Sequence, residues 1–206
     1  MFPGNDFTEV FKEIYLAAMK SDSANSTLRK QIFTPTVLNG LVTAGSVLLC
    51  LLILPTRLPG MELAGIGPNW LLIWVVVWSV KRSPLQAALA GVTLGLIQDG
   101  MTSAHPTHVF SLALAGVLTA LIRKERYLQE DFISIALITF GMAVIAETVT
   151  AIQYSLLANR ERSLVEIWSY HQLIALSSAI LSSLWAPVVY FPLNRWWQYI
   201  NNQQPS

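Results

Sequence analysis

Six nearly uncharged apolar runs, each of about 16 to 26 residues, occupy the chain between Thr36 and Leu193. Runs of that length match the thickness of a bilayer, and their apolar residues do not alternate with polar ones as on the face of a soluble helix. Only 12% of the 206 residues are charged, against roughly a quarter in water-soluble domains. The expected fold is an all-α membrane protein, a bundle of six transmembrane helices. The runs fall at residues 36–54, 63–80, 84–99, 106–122, 132–157 and 172–193.

Several functional classes drop out at once. A net charge of +1 supplies no field that would draw in nucleic acid or an acidic substrate. Cys50 is the sole cysteine, which excludes an intrachain disulfide. His105, His108 and His171 lack the spacing of a zinc site, and no nucleophile elbow or phosphate loop occurs. No cofactor, metal site or catalytic residue is expected, and the chain reads as a non-enzyme.

Before the first run lies an arm of 35 residues. Within residues 7–19, Phe7, Val10, Phe11, Ile14 and Ala18 share one helical face, with Glu9, Lys12 and Glu13 away from it. This amphipathic helix suits the bilayer surface or a protein partner. A polar linker ending in Arg29 and Lys30 follows. With the N-terminus inside, the inner segments hold ten Lys and Arg and the outer loops three, Arg57, Arg160 and Arg162. The positive-inside rule therefore predicts both termini in the cytoplasm. The expected organisation is a cytoplasmic arm at 1–35, a membrane domain at 36–195 and a short cytoplasmic tail at 196–206.

The third run carries its own helix signals. Ser83 is a good N-cap and Pro84 suits the first helical position, while Gly100 can end the helix in a left-handed conformation. Ala87, Gly91, Gly95 and Asp99 recur every four residues and line one face, shaped for close approach by another helix. This run would cover roughly 24 Å, and the core of the second from Pro68 roughly 20 Å, against about 30 Å of hydrocarbon.

Two acids stand out. Asp99 admits three readings: a helix end solvated among headgroups, a hydrogen-bond anchor for packing or a partner, or a cation site with the nearby histidines. At mid-bilayer a carboxylate costs about 2.5–3.5 kcal/mol. Glu147 lies well inside the fifth run, on a face with Ala143, Thr150, Ala151 and Tyr154. That face points into the bundle or onto another protein, and internal hydrogen-bonded glue suits it better than a proton relay, because no Lys or Arg within a span can pair with it. In the last run, Ala175-Ala179-Ser183 and Ser178-Ser182-Ala186 form small-residue stripes. Pro187 is expected to interrupt the helix and Pro192 to end it. Trp70 and Trp78 suit the two interfaces, and Trp74 must lie deep.

Pro68-Asn69-Trp70 opening a short apolar helix, the basic turn Lys81-Arg82-Ser83-Pro84, and Gly91-x3-Gly95-Leu96-x2-Asp99 together resemble the rod-shape-determining membrane protein family MreD. The resemblance implies an inner-membrane scaffold of the cell-wall elongation complex that binds the bitopic protein MreC. MreB filaments would lie inside, and a RodA-type glycan polymerase and a penicillin-binding transpeptidase outside. It also implies a fold similar to the six-helix substrate-binding subunits of energy-coupling-factor transporters. The alternative function is a solute-binding subunit of a vitamin-type transporter. Residues expected to serve partner binding or helix packing are Pro68, Trp70, Ala87, Gly91, Gly95, Asp99 and Glu147.

Overall fold

The computed structural model describes residues 35–56, 60–102, 106–124, 131–157 and 164–202. These contain six α-helices and no β-strand: α1 (Pro35–Ile53), α2 (Trp70–Ser79), α3 (Pro84–Met101), α4 (Val109–Lys124), α5 (Phe132–Leu157) and α6 (Leu164–Asn202). Residues 45–198 form one compact unit. The described residues of the other, 35–44 and 199–202, are the start of α1 and the end of α6. The amphipathic segment 7–19, the polar linker, Arg57, His105, Arg160 and Arg162 lie outside the described residues.

The shortest helix is the centre of the unit. Leu71, Leu72, Ile73, Val75, Val76 and Val77 of α2 have at most 1% of their surface exposed, and α2 packs on α3, α4 and α5. A helix apolar on every side has no polar face to give to water, so it is stable only when enclosed. Ten residues make about 15 Å, so the chain leading into α2 is irregular. It turns at Leu63–Ile66, where Leu63 and Ile66 exchange backbone hydrogen bonds at 2.9 and 3.0 Å. Ala64 and Gly65 both have positive φ, 54° and 77°, as a tight two-residue hairpin turn requires.

Among the described residues, two helices are long and apolar enough to cross a membrane: Phe132–Leu156, with mean hydropathy 2.1, and Trp168–Ile200, with 1.7. Neither is a soluble core helix. Ile133, Leu137, Leu156, Leu173, Leu176, Ile180, Leu184 and Val188 all face outward, and an apolar surface of that extent belongs in lipid. Hydroxyls along the helices return to their own backbone: Thr119, Thr139 and Thr150 donate to the carbonyl four residues back at 2.7, 2.8 and 3.0 Å. Such bonds satisfy a polar group where water is absent.

Three boundaries differ from the sequence expectation. The helical core of the second run, expected from Pro68, begins two residues later at Trp70, because Pro68 lacks an N–H and Asn69 caps the helix. Gly100 does not end α3. The helix runs to Met101, and the Thr102 N–H and Oγ1 both donate to the Gln98 carbonyl, at 2.9 and 2.8 Å. Nor does Pro192 end α6, which continues through both prolines to Asn202. A proline removes one donor and costs about 3 kcal/mol in a helix interior, and packing within a membrane protein can offset that cost. The buried face of α6 includes Ser178, Ser182, Ala186 and Tyr190, so the packed stripe runs past Pro187.

Candidate functional site

Pro68-Asn69-Trp70 knots α2 to α6. The Asn69 side chain accepts from the Leu72 N–H at 3.1 Å and so caps α2, while the Asn69 backbone N–H donates to Ser182 Oγ at 3.0 Å. Pro68 is buried beside it, and the Trp70 ring packs on Trp185 at 5.5 Å between centroids. Each residue of the tripeptide thus has a separate part: Pro68 stops the helix from extending backwards, Asn69 satisfies two positions, and Trp70 fills the contact. One turn on, Trp74 Nε1 donates to Ser46 Oγ of α1 at 2.8 Å, which answers the one polar atom of a deeply buried indole.

The small-residue face of α3 lies against α4. A Cβ placed on Gly91 would stand 2.5 Å from the Leu112 carbonyl oxygen and 2.6 Å from Ala113 Cα; one on Gly95 would stand 2.5 Å from Val109 Cα. From the other side, a Cβ on Gly116 would meet the Ala87 carbonyl oxygen at 2.7 Å. Ala87 has no exposed surface. Two backbones touch along three successive turns, and at each contact one helix contributes a residue without a side chain. The stripe is therefore filled by the chain's own next helix. Ser83 and Gln86 start α3 with a reciprocal capping box, as the Ser83-Pro84 signal leads one to expect.

Asp99 closes this hairpin. Its Oδ1 accepts from the His108 backbone N–H at 2.8 Å and lies 2.7 Å from His108 Nδ1, and its Oδ2 accepts from Thr107 Oγ1 at 2.5 Å. Thr107 Oγ1 in turn accepts from the Val109 N–H at 3.2 Å. The carboxylate side chain is 12% exposed. At the C-terminal end of α3 it opposes that helix's dipole, yet the turn lays it at the N-terminus of α4, where negative charge is favourable. Asp99 and Thr107 answer donors that the first turn of α4 cannot bond internally.

Beside the turn is a cavity of mixed polar and apolar lining, about 230 Å³, bounded in part by Pro68, Asn69, Gln98, His108, Glu147 and Ile174. Five of the seven predicted residues, Pro68, Trp70, Ala87, Gly91 and Gly95, are buried in packing, and Asp99 bonds the turn. Pro68 and Glu147 reach the cavity. Glu147 is half-buried, with Ala143, Ala146 and Ala151 buried around it on α5. Of the histidines, His108 lies at the cavity, and His171 lies elsewhere, its ring 5.1 Å from that of Tyr154. No group of three His, Cys, Asp or Glu that could hold a metal occurs among the described residues.

Two residues of this region escaped the sequence reading. Gly116 and Ala120 are small residues one turn apart, a shorter form of the signal that exposes the α3 stripe. Gln98 has no such signature. It is a single amide at the end of an apolar run, and only the fold shows that it is 7% exposed and that its carbonyl oxygen has no partner.

The family model of the rod shape-determining protein MreD matches residues 36–199. No curated protein and no solved structure matches the chain. The matched range takes in all six helices apart from a few terminal residues of α1 and α6, and with them the Pro68-Asn69-Trp70 knot, the glycine-packed hairpin and the Asp99 turn. The chain belongs to the MreD family of rod shape-determining membrane proteins.

Proposed function

We propose that the protein is an integral scaffold of the bacterial cell-wall elongation complex, set in the inner membrane with both termini in the cytoplasm, and that it binds an MreC-like bitopic partner. Membership of the family implies a part in determining rod shape, and the family is non-enzymatic and membrane-bound. The observation that carries the reading is the extent of the family match, which spans the whole helical region.

Six transmembrane crossings fit the helix count. α5 and α6 cross by length and composition alone, and α2, buried on all sides, has the shelter that a short crossing needs. Pro68, Trp70, Ala87, Gly91, Gly95 and Asp99 serve by packing. They hold α2, α3, α4 and α6 in the register that presents an outer surface to the partner, and through it to MreB filaments, a RodA-type polymerase and a penicillin-binding transpeptidase. A contact of the partner helix with Gly91 or Gly95 would have to displace α4. A substrate-binding subunit of a vitamin-type transporter is the competing reading, and the cavity beside the Asp99 turn is what supports it.

Co-purification tests the proposal. Full-length protein extracted in mild detergent from the membranes of its host should retain an MreC-like bitopic protein. Leu85→Ala or Leu89→Ala, on the exposed face of α3, should leave the fold unchanged in the same preparation. Failure to retain such a partner under conditions that keep other membrane complexes intact would count against the scaffold.

A further inference from the structure

We propose that the cavity beside the Asp99 turn is a binding site for a compact primary ammonium compound. The inference stands on the cavity alone and holds whether or not the MreC-like partner binds. Its lining comes from the turn after α1, the chain before α2, the end of α3, the start of α4, the middle of α5 and the first half of α6, so the site exists only when the unit is assembled. The volume, about 230 Å³, exceeds the roughly 150 Å³ that takes a benzene-sized molecule.

The lining sets several acceptors among the apolar side chains of Leu54, Ile66, Pro68, Ala146 and Ile174. Glu147 brings a carboxylate, with no hydrogen-bond partner among the described residues. Gln98 is 7% exposed and its Oε1 is unpaired. Thr150 Oγ1 and Ser111 Oγ spend their protons on the Ala146 and His108 carbonyls, at 3.0 and 2.9 Å, which leaves their lone pairs free to accept. His108 also lines the cavity, with its Nδ1 2.7 Å from Asp99 Oδ1. Among the described residues, no Lys or Arg lines the cavity. A half-buried carboxylate and an orphaned amide oxygen call for a ligand that carries positive charge and several donors. A primary ammonium group supplies three N–H bonds and one charge.

Thermal unfolding of the full-length protein in detergent, followed by tryptophan fluorescence in amine-free phosphate buffer, tests this with ethanolamine as the probe. The midpoint should rise with ethanolamine concentration by mass action. It should respond less to choline, which has no N–H donor, and not at all to sodium chloride or ethylene glycol at equal concentration. Glu147→Gln should weaken the apparent affinity roughly tenfold to a hundredfold, the worth of a hydrogen bond to a charged group. Gln98→Met should weaken it severalfold. If one variant does not fold, the other decides, and equilibrium dialysis of labelled ethanolamine against the unsubstituted protein gives a direct reading. Equal stabilisation by ethylene glycol or sodium chloride, unchanged affinity in the folded variants, or no response to ethanolamine would overturn the proposal and leave a water-filled cavity.

Discussion

Gly91→Ala and Gly141→Ala should change stability in opposite directions. Both glycines lie inside helices, α3 and α5. Free of other constraints, each replacement favours the helix by about 0.8–1.0 kcal/mol. At Gly141 nothing stands within 4 Å of the new methyl, so that gain survives. At Gly91 the methyl meets the Leu112 carbonyl oxygen at 2.5 Å and Ala113 Cα at 2.6 Å, about 0.9 Å short of ordinary contact at 3.4 Å. The obstacle is backbone, which cannot rotate away as a side chain can. α3 and α4 must separate, and the loss is felt along the stripe, because Gly95 and Gly116 rely on the same approach. Overpacking costs about 1–3 kcal/mol, enough to outweigh the propensity gain. Gly91→Leu should be worse. Equilibrium unfolding of the detergent-solubilised protein, read by tryptophan fluorescence, compares the variants. If Gly91→Ala proves as stable as Gly141→Ala, α3 and α4 do not meet backbone to backbone.

Two further outcomes follow from the hydrogen bonds. Asp99→Ala removes the acceptor of the His108 N–H and of Thr107 Oγ1, and should cost about 1–3 kcal/mol; faster hydrogen exchange at the amides of 107–110, with α5 unaffected, would identify the turn as the place of loss. Ser182→Ala leaves the Asn69 N–H without its partner between α2 and α6. It should destabilise by a similar amount in the same unfolding assay, whereas Ser183→Ala, whose hydroxyl bonds its own helix at Ile180, should have little effect.

Much of this architecture can be read from the sequence where one residue type carries one signal. The Ala87-Gly91-Gly95 spacing names a face for close contact, and Ser83-Pro84 marks the start of α3. What it lies against is a different matter, because a small-residue face looks the same whether its neighbour is a sibling helix or a partner's. Asp99 shows a second reason. Its environment is set by Thr107 and His108, on the far side of the turn, and no periodicity links residues across a loop. Pro192 shows a third, since local rules weigh the lost donor and not the packing on the flanks of α6. Gln98 and Glu147 share one cavity although they are 49 residues apart in the sequence, a proximity that only the tertiary fold creates.

The central claim is that the protein determines cell shape, and depletion in its host tests it most directly. Cell width and length would be followed by microscopy as the protein is lost, with a plasmid copy restoring it. Rods should widen and round up over a few generations and recover on re-expression. Cells that keep their rod shape and dimensions, and instead acquire a requirement for an external nutrient, would contradict a shape-determining role and favour the transport reading.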